Sequence, residues 1–262
     1  MTNKISTAAL MAGVSVLAVP ALAADVNPMP DYVQPIYQAE PVVTGQVQLY
    51  GGIVDNDSSD SFGLVGGRGS VNLMLHNDIR TQLDLIAAST FNDGAGSDVV
   101  LGLAHFYKLN SGANAYGVFV GGGSVANYGT FLVGLEGQHF WGPITVGGDI
   151  FVGASEADGL WGVSAYLAYY ISEQTKVQGR LGYVDMGSID AFDISARLAH
   201  RFVGSAFGIF GEVGWTEADT GLGSGDAFRF LVGLNVDIDG GGSRLSHDRS
   251  NTLWTNSALT RF

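Results

Sequence analysis

Ionisable side chains in this sequence fall at alternate positions within short segments. Glu136 and Gln138 share one parity of VGLEGQHFW, and Asp149 holds the matching parity of ITVGGDIFVG. Arg68 and Asn72, then Arg80, Gln82 and Asp84, repeat the arrangement earlier in the chain, and Arg180, Asp193, Arg197, Glu212 and Arg229 repeat it later. Alternate residues share a face only on an extended strand, so each run offers a polar stripe backed by an apolar one. Charges gathered this way can line a water-filled bore and set its ion preference. They can equally pair, as Arg197 with Glu212 would, and stiffen a filled interior. The lining reading is preferred. The segments at Glu136 and Asp149 carry only carboxylates, which predicts that Arg180, Arg197 and Arg229 face them across a narrow bore.

Other groupings of reactive residues lack a chemical partner. Ser246-His247-Asp248 holds the ingredients of a nucleophilic triad, but sequence neighbours do not make triad geometry. Gly121-Gly122-Gly123 has neither the Lys nor the following helix of a phosphate loop. Asp55, Asp57 and Asp60 could offer oxygens to Ca²⁺, yet no Gly or Glu completes a calcium loop. His105, His139 and His200 fall on segments that are not neighbours, which predicts headgroup contacts for them and no shared ion. The chain has no cysteine, so thiolate chemistry and disulfides are excluded. No catalytic residue, metal or cofactor is expected.

The elements that position the stripes are strands. About twelve alternating segments of roughly ten residues follow one another, near 46–55, 62–74, 80–90, 98–108, 114–124, 130–141, 144–153, 161–172, 176–185, 190–202, 206–216 and 227–238. Their connections also alternate in character. The odd-numbered ones, DNDSSDS, NDGAGSD, ANYG, SEADGL, MGSID and EADTGLGSGD, are read as the longer, acidic set, and the even-numbered ones, HND, NSGAN, WGP, SEQT and VGS, as the short turns. Helical stretches that could cover an apolar sheet face are scarce. The expected fold is therefore all-β: a transmembrane, antiparallel up-and-down barrel with its apolar face toward lipid. Gly117, Gly134, Gly147, Gly182, Gly214 and Gly233 fall on the inward parity and would leave room in the bore. Tyr50, Phe119, Phe151, Tyr166 and Phe210 fall there too and would take room back.

Composition agrees. Only 14% of residues are charged and 46% are hydrophobic, with 39 glycines and a formal net charge of −13. That balance excludes a nucleic-acid partner, which needs a basic stripe. Residues 1–23 read as a signal peptide, with Lys4, an apolar run from Ala8 to Val19 and an Ala21-Leu22-Ala23 cleavage pattern. Residues 24–45 hold Pro28, Pro30, Pro35 and Pro41 without apolar periodicity, an extended periplasmic leader. The barrel is expected over 46–238. Residues 239–262 are a C-terminal tail or, through TLWTNSALTRF, one further strand.

Aromatic residues bunch at the ends of the segments. Tyr107, Trp141, Tyr169 and Phe202 are expected to form the girdle at the short-turn interface. Phe131, Trp161, Tyr183, Phe192, Trp215 and Phe228 are expected at the long-loop interface, because amphipathic rings favour the headgroup level.

On the signal, the strand rhythm and these girdles, residues 1 to about 238 resemble the outer-membrane β-barrel, porin-like proteins of Gram-negative bacteria, of the alphaproteobacterial kind with a Pro-rich leader. The resemblance implies residence in the outer membrane among lipid and lipopolysaccharide, and passive passage of small polar or charged solutes. The other function open at this level is a structural or surface-interaction protein whose acidic loops bind divalent cations, lipopolysaccharide or host molecules. The sequence does not indicate an oligomeric state.

Overall fold

The computed structural model describes residues 43–56, 61–76, 78–91, 98–110, 113–125, 128–156, 159–187, 189–219, 224–238 and 243–250. The signal segment, the leader up to residue 42 and TLWTNSALTRF lie outside them.

Twelve strands form: β1 (Val43–Asn56), β2 (Phe62–His76), β3 (Ile79–Phe91), β4 (Asp98–Asn110), β5 (Asn114–Val125), β6 (Tyr128–Trp141), β7 (Ile144–Ser155), β8 (Gly159–Ser172), β9 (Thr175–Asp185), β10 (Asp190–Arg201), β11 (Phe207–Asp219) and β12 (Ser224–Asp237). Each pairs antiparallel with its sequence neighbours, and β1 pairs with β12, so the ring closes without a further strand. Closure leaves no unpaired edge, the condition for strands to cross lipid. The barrel starts at Val43, earlier than the expected Gln46, because Val43, Thr44 and Gly45 already pair with Leu73, Asn72 and Val71 of β2.

The outer surface explains the medium. Leu49, Ile53, Leu85, Leu135, Ile150, Val152 and Leu234 point outward and are more than half exposed. A belt this apolar would be an aggregation surface in water, and it is satisfied by lipid. All strands but β9 exceed the roughly 9–11 residues needed to span hydrocarbon, so their ends project past it. Short turns hold one end. At the β6–β7 turn, Gly142 takes φ +52°, a left-handed backbone that glycine adopts without a Cβ clash, and Pro143 follows.

The tail supplies α1 (Arg244–Ser250). It lies at the short-turn end, where the Leu245 amide donates to the Glu173 carbonyl at 3.1 Å and an Arg249 guanidinium nitrogen donates to the Ile144 carbonyl at 3.1 Å. Two turns of helix are too short to persist in water unsupported. Docking on the barrel makes α1.

Candidate functional site

Alternation places Arg68, Arg80, Asp84, Glu136, Asp149, Arg180, Arg197, Glu212 and Arg229 on the inward face, and most are buried there. They do not stand as two opposed walls of charge. Each sector of the ring carries both signs, because a charge without water survives burial only beside a partner.

One cluster spans β2 to β6. The Arg68 guanidinium pairs with Asp84, which also accepts from the Gln82 amide at 2.8 Å. His105 reaches both neighbouring carboxylates, with Nε2 3.5 Å from Asp84 and Nδ1 2.9 Å from Glu136. Glu136 needs that contact. Across the β6–β7 ladder its register partner is Asp149, and like charges directly opposite destabilise a sheet. Asp149 is relieved by the Ser164 hydroxyl, which donates to it.

A second cluster spans β10 to β12. Arg229 places Nη2 2.6 Å from Asp193 and Nε 3.6 Å from Glu212, while Nη1 donates to the Thr216 hydroxyl at 3.1 Å. Arg197 completes it, with Nε 3.1 Å from Glu212 and its guanidinium 3.9 Å from the centre of the Phe210 ring. Thr216 in turn donates to Asp193 at 3.1 Å. Arg229 is the cation that Asp193 and Glu212 share.

Toward the long-loop end the sector from β3 to β9 is apolar instead. Leu101, Leu132, Phe151, Leu160 and Val184 pack into one cluster on the inward face. The inward glycines do not open this space. A Cβ at Gly134 would lie 2.4 Å from the Phe119 ring, and one at Gly214 would lie 2.7 Å from the Arg229 guanidinium. Large neighbours lie over the bare backbone, so the glycines make room for side chains of the lumen, not for solvent.

His105 and Tyr107 therefore stand against expectation. Both point inward and are almost fully buried, and the Tyr107 hydroxyl donates to Asn72 at 3.0 Å. Tyr107 is not a girdle residue. The reason lies in β4, whose larger apolar parity (Val99, Leu101, Leu103) joins the interior cluster while Val100 and Phe106 face out. The other nine aromatics expected in girdles lie on the outward parity. Trp141 is 73% exposed, and Tyr169 and Phe202 share its rim. At the other rim Trp161 packs against Tyr183 at 5.2 Å, and Phe192 against Trp215 at 6.2 Å. Phe228 is the register partner of Trp215, which continues the ribbon to β12. His139 also faces outward, within 2.5 Å of Asn114, and His200 contacts Thr175.

Sequence reading passed over Arg201, Asp237 and Lys176. Each continues a polar parity already recognised, Arg201 after Arg197, Asp237 after Asn235 and Lys176 before Gln178, and following the stripe to the strand end would have found them. At the short-turn end Arg201 lies 3.2 Å from Asp237, and the Gln46 amide donates to Asp237 at 2.6 Å, tying the β1–β12 seam. Lys176 meets α1. Its ammonium is 2.6 Å from Asp248, which also accepts from the Tyr170 hydroxyl at 2.8 Å and from Arg244 at 3.2 Å. Burial opposes ionisation of Asp248, but Arg244 and then Lys176 outweigh it and hold the carboxyl well below the usual range. Above this contact lies a small polar cavity of about 30 Å³, bordered by Gln46, Gln48, Gln138, Gln178 and Arg197. Among the described residues no group of three His, Asp or Glu has the geometry of a metal site.

No family model matches the sequence, and no curated protein is similar to it in sequence. Solved structures are similar in fold. The KdgM porin in complex with disordered oligogalacturonate is 10% identical, with a TM-score of 0.54 over 73% of this chain and 98% of that one. The KdgM porin alone is 12% identical, with a TM-score of 0.53 over the same shares, 73% and 98%. An outer-membrane channel from Pseudomonas putida F1 is 14% identical, with a TM-score of 0.53 over 78% and 98%. With its closed ring of strands and lipid-facing exterior, this chain has the fold of the outer-membrane, porin-like barrels.

Proposed function

We propose that this chain is a passive diffusion channel of the outer membrane for small polar or charged solutes. One observation carries the reading. A polar track runs the length of the lumen along β10, β11, β12 and β1, from Asp193 and Arg229 through Glu212 and Arg197 to Gln48 and Gln46. A barrel built only for anchorage would gain by filling this sector with apolar side chains, as the long-loop half of the lumen does from β3 to β9, because buried ion pairs are seldom worth more than well-packed hydrophobic residues. A barrel of twelve strands also lies between the filled small barrels and the wide porins. Small solutes and hydrated ions fit that size.

In this reading the short turns and α1 face the periplasm and the acidic loops face outward toward lipopolysaccharide. The aromatic rims sit at the two headgroup levels. The glutamate and arginine side chains set ion preference in the bore. Liposome swelling tests the proposal. Vesicles holding the folded chain should swell in isotonic solutions of small amino acids and sugars, faster for the smaller solute. Swelling no faster than in protein-free vesicles would contradict it.

A further inference from the structure

The contact between α1 and the barrel has the chemistry of a bound ligand. Asp248 enters a pocket whose two fixed donors belong to the barrel wall, the Lys176 ammonium at 2.6 Å and the Tyr170 hydroxyl at 2.8 Å. Arg244, the third donor, rides on the helix itself and leaves with it. We infer that this pocket is a carboxylate-binding site of the lumen and that α1 occupies it as an internal competitor, so that a carboxylate solute and the docked helix exclude one another.

Three observations support this. First, Lys176 is largely buried, its side chain 13% exposed. Withdrawing Asp248 leaves an ammonium facing poorly solvated surroundings with no counter-charge from α1, which is costly. A solute carboxylate restores both lost contacts, whereas a neutral solute restores neither charge nor acceptor geometry. Second, apart from Asp248, α1 is held by packing and by contacts to the turn ends: Leu245 packs against Ala168 and Tyr170, His247 is buried 3.9 Å from Asp237, and Arg249 lies over the Phe140 and Tyr170 rings and reaches the Ile144 carbonyl. A helix this short does not outlast its docking, and Asp248 is its link to both fixed donors of the pocket, so losing that contact weakens the cover over the mouth. Third, the space beyond the pocket is lined by amides and Arg197, which offers hydrogen bonds or a second cationic contact to the rest of the solute. The substrate class is then a small, polar carboxylate, a dicarboxylate most of all. This deepens the channel reading and rests on it only for the claim that the bound solute passes through.

Limited trypsin digestion of the full chain, folded in detergent, tests the exclusion without requiring ion flow. Arg244 and Arg249 are protected while α1 is docked, and cleavage in this regime follows the open population. Malonate is the probe, with sodium chloride at equal ionic strength as the reference. At about ten times its dissociation constant, malonate should raise cleavage after Arg244 and Arg249 about tenfold. In Lys176→Gln the basal rate should rise and the malonate effect should fall to a ratio near one. If Lys176→Gln does not fold, Tyr170→Phe, which keeps the ammonium, should fold and show a reduced ratio. Equal cleavage in malonate and chloride in the natural chain, or an undiminished ratio in whichever variant folds, would overturn the inference. Malonate-dependent cleavage from a protein that never conducts would leave the carboxylate site standing and remove the channel reading. Conduction with malonate-independent cleavage would do the reverse.

Discussion

On the sector from β4 to β8 the inward face toward the long loops is built of Leu101, Leu132, Phe151 and Leu160, whereas from β10 to β12 it is built of Asp193, Glu212 and Arg229. The two sectors meet at β9 and β10, where Asp193 stands opposite Gly182, two residues from Val184 of the apolar cluster. They face one lumen and are held by different physics. The apolar sector gains stability from area removed from water, in increments shared among many contacts. The charged sector depends on each ion keeping its partner, and toward the long loops it is the side that offers groups a hydrated ion or polar solute can use. Stability can therefore be varied on one side and permeation on the other.

The largest effect is expected in the charged sector. Arg229→Leu removes the cation shared by Asp193 and Glu212, and breaking a buried pair costs about 3–5 kcal/mol. Urea titration of the folded barrel would read the loss, and a change below about 1 kcal/mol would place these carboxylates in water. On the apolar side Leu132→Ala deletes a side chain with no exposure and should cost about 2–5 kcal/mol. That variant should leave ion preference unchanged. A shifted reversal potential in Leu132→Ala would dissolve the distinction between the two sectors.

Acid should act on a third region, the mouth under α1. Asp248 has its folded pKa depressed below the ordinary carboxylate value, so its contribution is complete above that value and is lost only as pH falls through the lower, folded one. Protection of α1 from proteolysis should thus persist from neutral pH to about pH 4 and fail below it, with pepsin as the acid-active probe. Release between pH 5 and 7 would mean that another group holds the helix. The smallest expected change in stability comes from Glu136→Gln with Asp149→Asn. Together these remove a carboxylate pair in direct register but also cost His105 one of its two carboxylates and leave Ser164 a neutral acceptor. The two effects offset to within about 1 kcal/mol, while the reversal potential should move toward anion preference, since the lumen loses negative charge and keeps its guanidiniums.

Much of this architecture was legible in the sequence because the alternation is strong wherever one face is polar. The strands around Glu136, Asp149, Arg197 and Arg229 match the expected limits to within three residues and have the expected inward parity. Alternation separates two faces without saying which is inside, and β4 shows the consequence. Its inward residues are as apolar as lipid-facing ones, so His105 and Tyr107 were placed outside. Only the register with β3, where Gln82 stands opposite His105, turns them inward. The glycines misled for a related reason. A bare backbone signals space, and the identity of the neighbour filling it, Phe119 over Gly134 or Arg229 over Gly214, depends on cross-strand register. RLSHDRS is shorter than any periodicity can register, and its helix exists only through contacts with Lys176, Tyr170 and the turn carbonyls.

Planar-bilayer recording of the folded full chain, alongside Leu245→Asp to loosen α1, addresses the central claim most directly. The polar track predicts small ohmic steps whose size rises with salt, more frequent or larger when α1 is loosened. Silence from both proteins, each shown to be folded and inserted, would contradict a diffusion channel.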